Sequence, residues 1–154
     1  MLRRTMTGVL ALCAIAAFGF AHAQTAQYGT AEEARALLER AARSMKADPA
    51  NTIAQINKGE GRYKDRDLYV FCYADGKVVA HGNDPTRVGL LTKDLKDPTG
   101  KLYGEEMLRV AEEGKVSEVS YLFPRPGSET PVPKNALVTK VADHVCAVGY
   151  YKQN

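Results

Sequence analysis

The sequence predicts an α+β fold: a five-stranded, mainly antiparallel sheet with a long helix on one face and a helical insertion between the second and third strands. Three observations carry this reading. A helix-spaced apolar pattern opens the folded part of the chain, an Asp75-Gly76 hairpin follows, and three alternating strands close it. No internal repeat or low-complexity tract interrupts the order.

Thr30-Ala-Glu-Glu33 is a capping box, in which the threonine side chain and the Glu33 carboxylate each satisfy a free N–H of the first turn. Behind it Ala34, Leu37, Leu38, Ala41, Ala42 and Met45 recur at helical spacing. Asp48-Pro49 ends that helix and starts a second, because Asp suits an N-cap and Pro the first helical position. Ile53 and Ile56 give the second helix an apolar face, and Gly59 stops it. Both helices read as support packed on the sheet. Strands are expected at about 67–74 and 77–82, joined by Asp75-Gly76, a dipeptide that accepts positive φ at little steric cost. The segment Asn83 to Lys101 is long for a compact domain, so it should be functional or hold short helical turns. A helix is predicted from Leu102 to Glu113, then strands at 116–123, 135–142 and 145–151, with a turn at Asp143-His144.

The first residues are not part of this fold. Met1 to Arg4 form a basic start, Gly8 to Phe20 an apolar run and Ala21-His22-Ala23 a small-residue cleavage site, as in a secretory leader. The run is too short for the ~20 residues of a spanning helix, and Cys13 lies inside it, which disfavours a retained anchor or a lipoprotein. Export is the expectation, with residues 1–23 removed and 24–154 forming one domain. Loss of Arg3 and Arg4 takes the net charge from +3 to +1, leaving no electrostatic footprint for nucleic acid. No later stretch could span a membrane. Cys72 and Cys146 both fall in predicted strands of one sheet. They are either a disulfide pair or two separately buried thiols, and both readings stand.

His81 is the residue most suggestive of a binding site, because it ends a strand rich in apolar and aromatic neighbours. Its direction depends on the loop. A two-residue type I′ turn pairs His81 with Val70 and puts it with Leu68 and Cys72. A bulged Ala74-Asp75-Gly76 loop pairs it with Tyr69 and groups it with Phe71 and Tyr73. The bulged form is the reading adopted, since it separates the aromatic from the aliphatic residues. Lys134, at the start of a strand, could neutralise a carboxylate, and Tyr121 and Phe123 share a parity that could wall the same cavity. Arg125 lies in a proline-rich turn and is expected to be exposed. No nucleophile elbow, metal-binding helix, P-loop or dinucleotide fingerprint occurs, so no catalytic residue, metal or cofactor is expected.

Taken in order, Asp67-Leu-Tyr-Val-Phe71, Asp75-Gly76, Ala80-His81-Gly82, Asp94-Leu95-Lys-Asp97, Val119-Ser-Tyr121, Pro133-Lys134 and Val148-Gly149-Tyr-Tyr-Lys152 resemble a single Cache domain, an extracytoplasmic sensing fold related in shape to PAS domains. The resemblance runs from about Thr30 to Lys152. It implies a helix on one sheet face and a small ligand, often a short organic acid, enclosed on the other. By position it implicates His81, Lys134, Tyr121 and Phe123, with Phe71 and Tyr73 beside them. Gly82 stands where proline is common in the family and Phe123 where tryptophan is. The function implied is an exported sensory module for a small carboxylate, presented to a membrane receptor or kinase. A non-binding interaction module with a self-filled pocket is the alternative, and an enzyme ranks last.

Overall fold

The structure, a computed structural model, describes residues 27–59 and 62–152. The expected leader and its cleavage site lie outside the described residues. Helix α1 (Ala31–Ala47) begins at the expected capping box: the Thr30 hydroxyl accepts from Glu33 N–H at 3.2 Å, and Glu33 accepts from Thr30 N–H at 2.8 Å. Its buried stripe is Ala34, Leu37, Leu38, Ala41 and Met45. Helix α2 (Pro49–Asn57) starts on the Asp48 cap, and Gly59 follows it at φ 67°.

The strands are β1 (Lys64–Asp65), β2 (Leu68–Ala74), β3 (Lys77–His81), β4 (Ser117–Pro124), β5 (Pro131–Val141) and β6 (His144–Tyr151). Five match the expected sheet, and β1 is a two-residue addition. The order is β1-β2-β6-β5-β4, with β3 also paired to β2, and every strand pair is antiparallel among the described residues. Alternation along the strands splits the core in two. Leu68, Val70, Cys72, Leu137, Cys146 and Val148 face α1 and α2. Tyr69, Phe71, Tyr73, Tyr121, Ala136 and Ala147 face the opposite side, under helix α3 (Tyr103–Val110) and the loop before it.

Cys72 and Cys146 stand directly opposite each other, with Cα atoms 4.1 Å apart and their sulfurs at bonding distance. The long loop does hold helical turns, at Pro85–Arg87 and Thr92–Asp94. Two expected boundaries move. The helix predicted over Leu102 to Glu113 stops at Val110 because the next residues serve the sheet: Glu112 C=O accepts from Lys140 N–H at 3.2 Å, and Thr139 Oγ1 donates to Lys115 C=O at 2.8 Å. Strand β5 starts at Pro131 rather than 135. Its prolines pair opposite Pro124 and Leu122, and the Pro133 carbonyl accepts from Lys152 N–H at 3.3 Å.

The hairpin corrects the loop expectation. Ala74 pairs with Lys77, and Asp75 and Gly76 both have positive φ (49° and 69°), so the loop is the two-residue type I′ turn. The extra residue lies further along β3: Tyr73 pairs with Val78 but Cys72 with Ala80, which makes Val79 a bulge. His81 therefore pairs with Phe71, neither Val70 nor Tyr69, and still reaches the aromatic face. Asn57 at the end of α2 spans the irregularity. Its side chain donates to Val79 C=O at 3.1 Å and accepts from His81 N–H at 2.9 Å.

Candidate functional site

Strands β2, β4, β5 and β6 converge on Lys134, which sits on β5 opposite Tyr121 and Tyr151. The side chain is only 1 % exposed. It crosses β6 above Gly149, where a Cβ would overlap Lys134 Cε, so a glycine is what leaves room for the aliphatic stem. The Nζ donates to the Tyr69 hydroxyl at 2.7 Å. Tyr69, Phe123 and Tyr151 present rings with centroids 4.3, 4.8 and 4.9 Å from it. Such faces favour a cation, by about 0.5–2 kcal/mol each, but carry no formal charge.

No carboxylate lies within ion-pair distance of Lys134 among the described residues. Asp67, whose charge does reach it, is already held by Arg125 at 2.7 Å and by Gly29 N–H at 2.7 Å. Burial accordingly lowers the Lys134 pKa well below that of a free lysine, and the Arg87 charge adds to the effect. Lys134 is thus a buried amine with no ion-pair partner among the described residues.

His81 lies 5.0 Å from the Tyr69 ring and 5.9 Å from Phe71. Its Nδ1 accepts from Asp84 N–H at 3.0 Å, which leaves the proton of the neutral ring on Nε2. Burial, then the charges of Arg87 and Lys134, push its pKa down to about 3. It is a neutral donor, not a cation. The donor N–H of Gly82 meets Val70 C=O at 2.9 Å, a bond that the family's usual proline could not make.

Across the cavity Tyr103 stacks on Tyr121 at 4.4 Å, and Phe123 lies edge-on to Tyr121 at 5.9 Å. Arg87, on the Pro85–Arg87 turn, donates to the Tyr103 hydroxyl at 2.9 Å and covers the Phe123 ring at 5.1 Å. Tyr73 is buried against α3, its hydroxyl 3.6 Å from Met107 Sδ. Desolvation raises the Tyr69, Tyr73 and Tyr121 pKa values, so these hydroxyls keep their protons. The space left at the centre is about 10 Å³, room for roughly one water. Outside it an open groove of about 180 Å³ shares His81, Arg87 and Phe123 with the inner space.

Five of the six residues singled out in the sequence, His81, Tyr121, Phe123, Tyr73 and Phe71, line one small space, and the sixth, Lys134, lies beside it with its Nζ near the Phe71, Tyr121 and Phe123 rings. Sequence reasoning missed Tyr69, Arg87, Tyr103, Tyr151 and Gly149. Tyr69 and Gly149 stood inside quoted motifs, and strand parity places Tyr69 with Phe71. Nothing local marked Arg87 or Tyr103, which arrive on the insertion. Arg125 is not the exposed arginine expected. It pairs with buried Asp67 and lies between the rings of Tyr28 and Tyr151, at 4.0 and 4.6 Å.

Residues 21–151 match the family described as Single Cache domain 2. The chain belongs to that family. Solved structures agree with the Cache fold. A "periplasmic sensor domain of chemotaxis protein" is 25% identical, with a TM-score of 0.60, covering 79% of this chain and 90% of its own. A methyl-accepting chemotaxis protein from Vibrio parahaemolyticus is 18% identical, with a TM-score of 0.65 over 78% and 86%. A Cache chemosensory domain described for carboxylic acid recognition is 19% identical, with a TM-score of 0.64 over 79% and 92%. At those last two identities the likeness is one of fold. No helix among the described residues is long and apolar enough to cross a membrane.

Proposed function

We propose that residues 24–154 form an exported, non-catalytic sensory module that binds a short carboxylate on Lys134 and passes its occupancy to a membrane receptor or kinase. The observation that carries this reading is the fully buried Lys134, which lacks an acidic partner and is ringed by aromatic faces. A ligand carboxylate would supply the counter-charge, and charge-assisted hydrogen bonds are the strong ones. His81 Nε2–H and the Arg87 guanidinium offer further donors at the small space beside Lys134. The carboxylic-acid-recognising neighbour supports the ligand class, and the chemotaxis neighbours support the sensory role. Export also gives Cys72 and Cys146 a compartment in which a disulfide would persist.

The small inner space sets a condition. A carboxylate enters only if Arg87 and Phe123 swing away and join that space to the outer groove. The same smallness favours a second reading, an interaction module whose pocket is filled by its own side chains. A thermal-shift screen of short mono- and dicarboxylates, amines and purines separates the two. Stabilisation by carboxylates, growing with concentration as mass action requires, supports the sensory reading. A flat response across the whole screen supports the filled module.

A further inference from the structure

We infer that carboxylate binding at this site takes up one proton from solvent: Lys134 is a neutral amine in the empty domain and an ammonium in the occupied one. The inference rests on the carboxylate reading above and adds a coupling to pH that the reading does not contain. In the empty domain a charged Lys134 would be a buried ion without a counter-ion, a state that proteins avoid by releasing the proton. In the occupied domain the ligand's negative charge meets the ammonium. The reaction balances as amine plus proton plus carboxylate anion giving an ammonium–carboxylate pair. No other covalent bond changes.

None of the groups packed against Lys134 carries a negative charge. From β2 comes the neutral Tyr69 hydroxyl, at 2.7 Å, and from β6 Tyr151, whose pKa burial also raises. From β4 come Tyr121, protonated by burial, and the uncharged Phe123. From β3 comes His81, which is neutral, and from the adjoining turn Arg87, whose positive charge opposes a second one. Asp67 favours the ammonium, but its two oxygens are engaged by Arg125 and Gly29. Desolvation dominates that balance and holds the amine toward its neutral form.

The hydrogen bond at Lys134 suits both states: its Nζ lies 2.7 Å from the Tyr69 hydroxyl. A neutral amine can accept from Tyr69 where an ammonium can only donate, so both protonation states keep that bond.

The test is calorimetric titration of the purified protein with propionate, repeated in HEPES and Tris, whose ionisation enthalpies differ, at pH 7 and 8. The expected result is uptake of about one proton per propionate and an affinity that falls about tenfold per pH unit. The His81→Gln variant is expected to bind more weakly with the same proton count. Binding with no proton uptake would overturn the inference and leave the carboxylate site standing. Proton uptake that disappears in His81→Gln while binding persists would assign the proton to His81 and overturn it equally. Absence of binding by propionate, acetate and lactate alike would remove the carboxylate reading together with the coupling.

Discussion

Both faces of one sheet are buried, and they differ in what they add to a shared aliphatic content. Toward α1 and α2 the strands present aliphatic side chains and a pair of cysteines. Toward α3 and the long loop they present tyrosine, phenylalanine, a lysine and a histidine among smaller valines and alanines. On the first face every side chain adds to stability by leaving water, at about 25 cal/mol per Å² of apolar surface. On the second, Lys134 is buried at a cost, and that cost is what a ligand could relieve. On the proposed function, the first face holds the domain together and the second carries the ligand. Substitutions on the two faces should therefore fail in different ways.

The largest effect is expected on the aliphatic face. A Cys72–Cys146 bond would close a loop with a sequence separation of 74 residues, worth about 4 kcal/mol by chain entropy. The Cys72→Ala/Cys146→Ala variant should lose roughly that much stability in urea unfolding and, where still folded, keep its ligand affinity. Equal stability of the native protein with and without reductant would show that the pair is not bonded.

Next comes the aromatic face. Lys134→Met should reduce carboxylate affinity at least about 100-fold, or about 2.7 kcal/mol, while the melting temperature stays level or rises, since a buried ionisable group is replaced by a thioether chain. A variant that binds normally would remove Lys134 from the site. One that melts much lower would erase the contrast between the faces. Gly149→Ala should act more mildly on the same group. The added methyl collides with the Lys134 stem, and overpacking of this kind costs about 1–3 kcal/mol. Titration calorimetry on that variant should show weakened binding with little change in fold, and undiminished affinity would mean that Lys134 need not lie across β6.

The aliphatic face was legible in the sequence because helix and strand periodicities state it directly: Leu37, Leu38, Val70 and Val148 all lie where alternation puts them. The capping box and the Asp48-Pro49 junction were equally plain. The aromatic face was legible only in part. His81 reaches it through a bulge at Val79, held by Asn57 from a different element, and no local pattern announces a bulge stabilised from 22 residues away. The favoured face was right, but the loop proposed to produce it was not. Arg87 and Tyr103 were missed for a related reason. They stand on a polar insertion whose path depends on tertiary bonds such as Val78 N–H to Leu90 C=O and Leu122 N–H to Asp97.

The smallest effect tests whether the polar groups of the aromatic face are held neutral. The folded pKa of His81 is about 3, against about 6.5 for the free side chain. Above pH 6.5 neither folded nor unfolded chain carries the proton, and the domain has its full stability from this group. As pH falls from 6.5 toward 3 the unfolded chain binds the proton and the folded one does not, so stability declines through that window. Between pH 7 and 5.5 the loss attributable to His81 is about 1 kcal/mol by this linkage. His81→Gln, which has nothing to titrate, should flatten the stability curve by that amount in urea unfolding at the two pH values. An unchanged slope would mean that His81 already charges in the folded domain. In that case the aromatic face would carry a positive charge on His81 even without ligand.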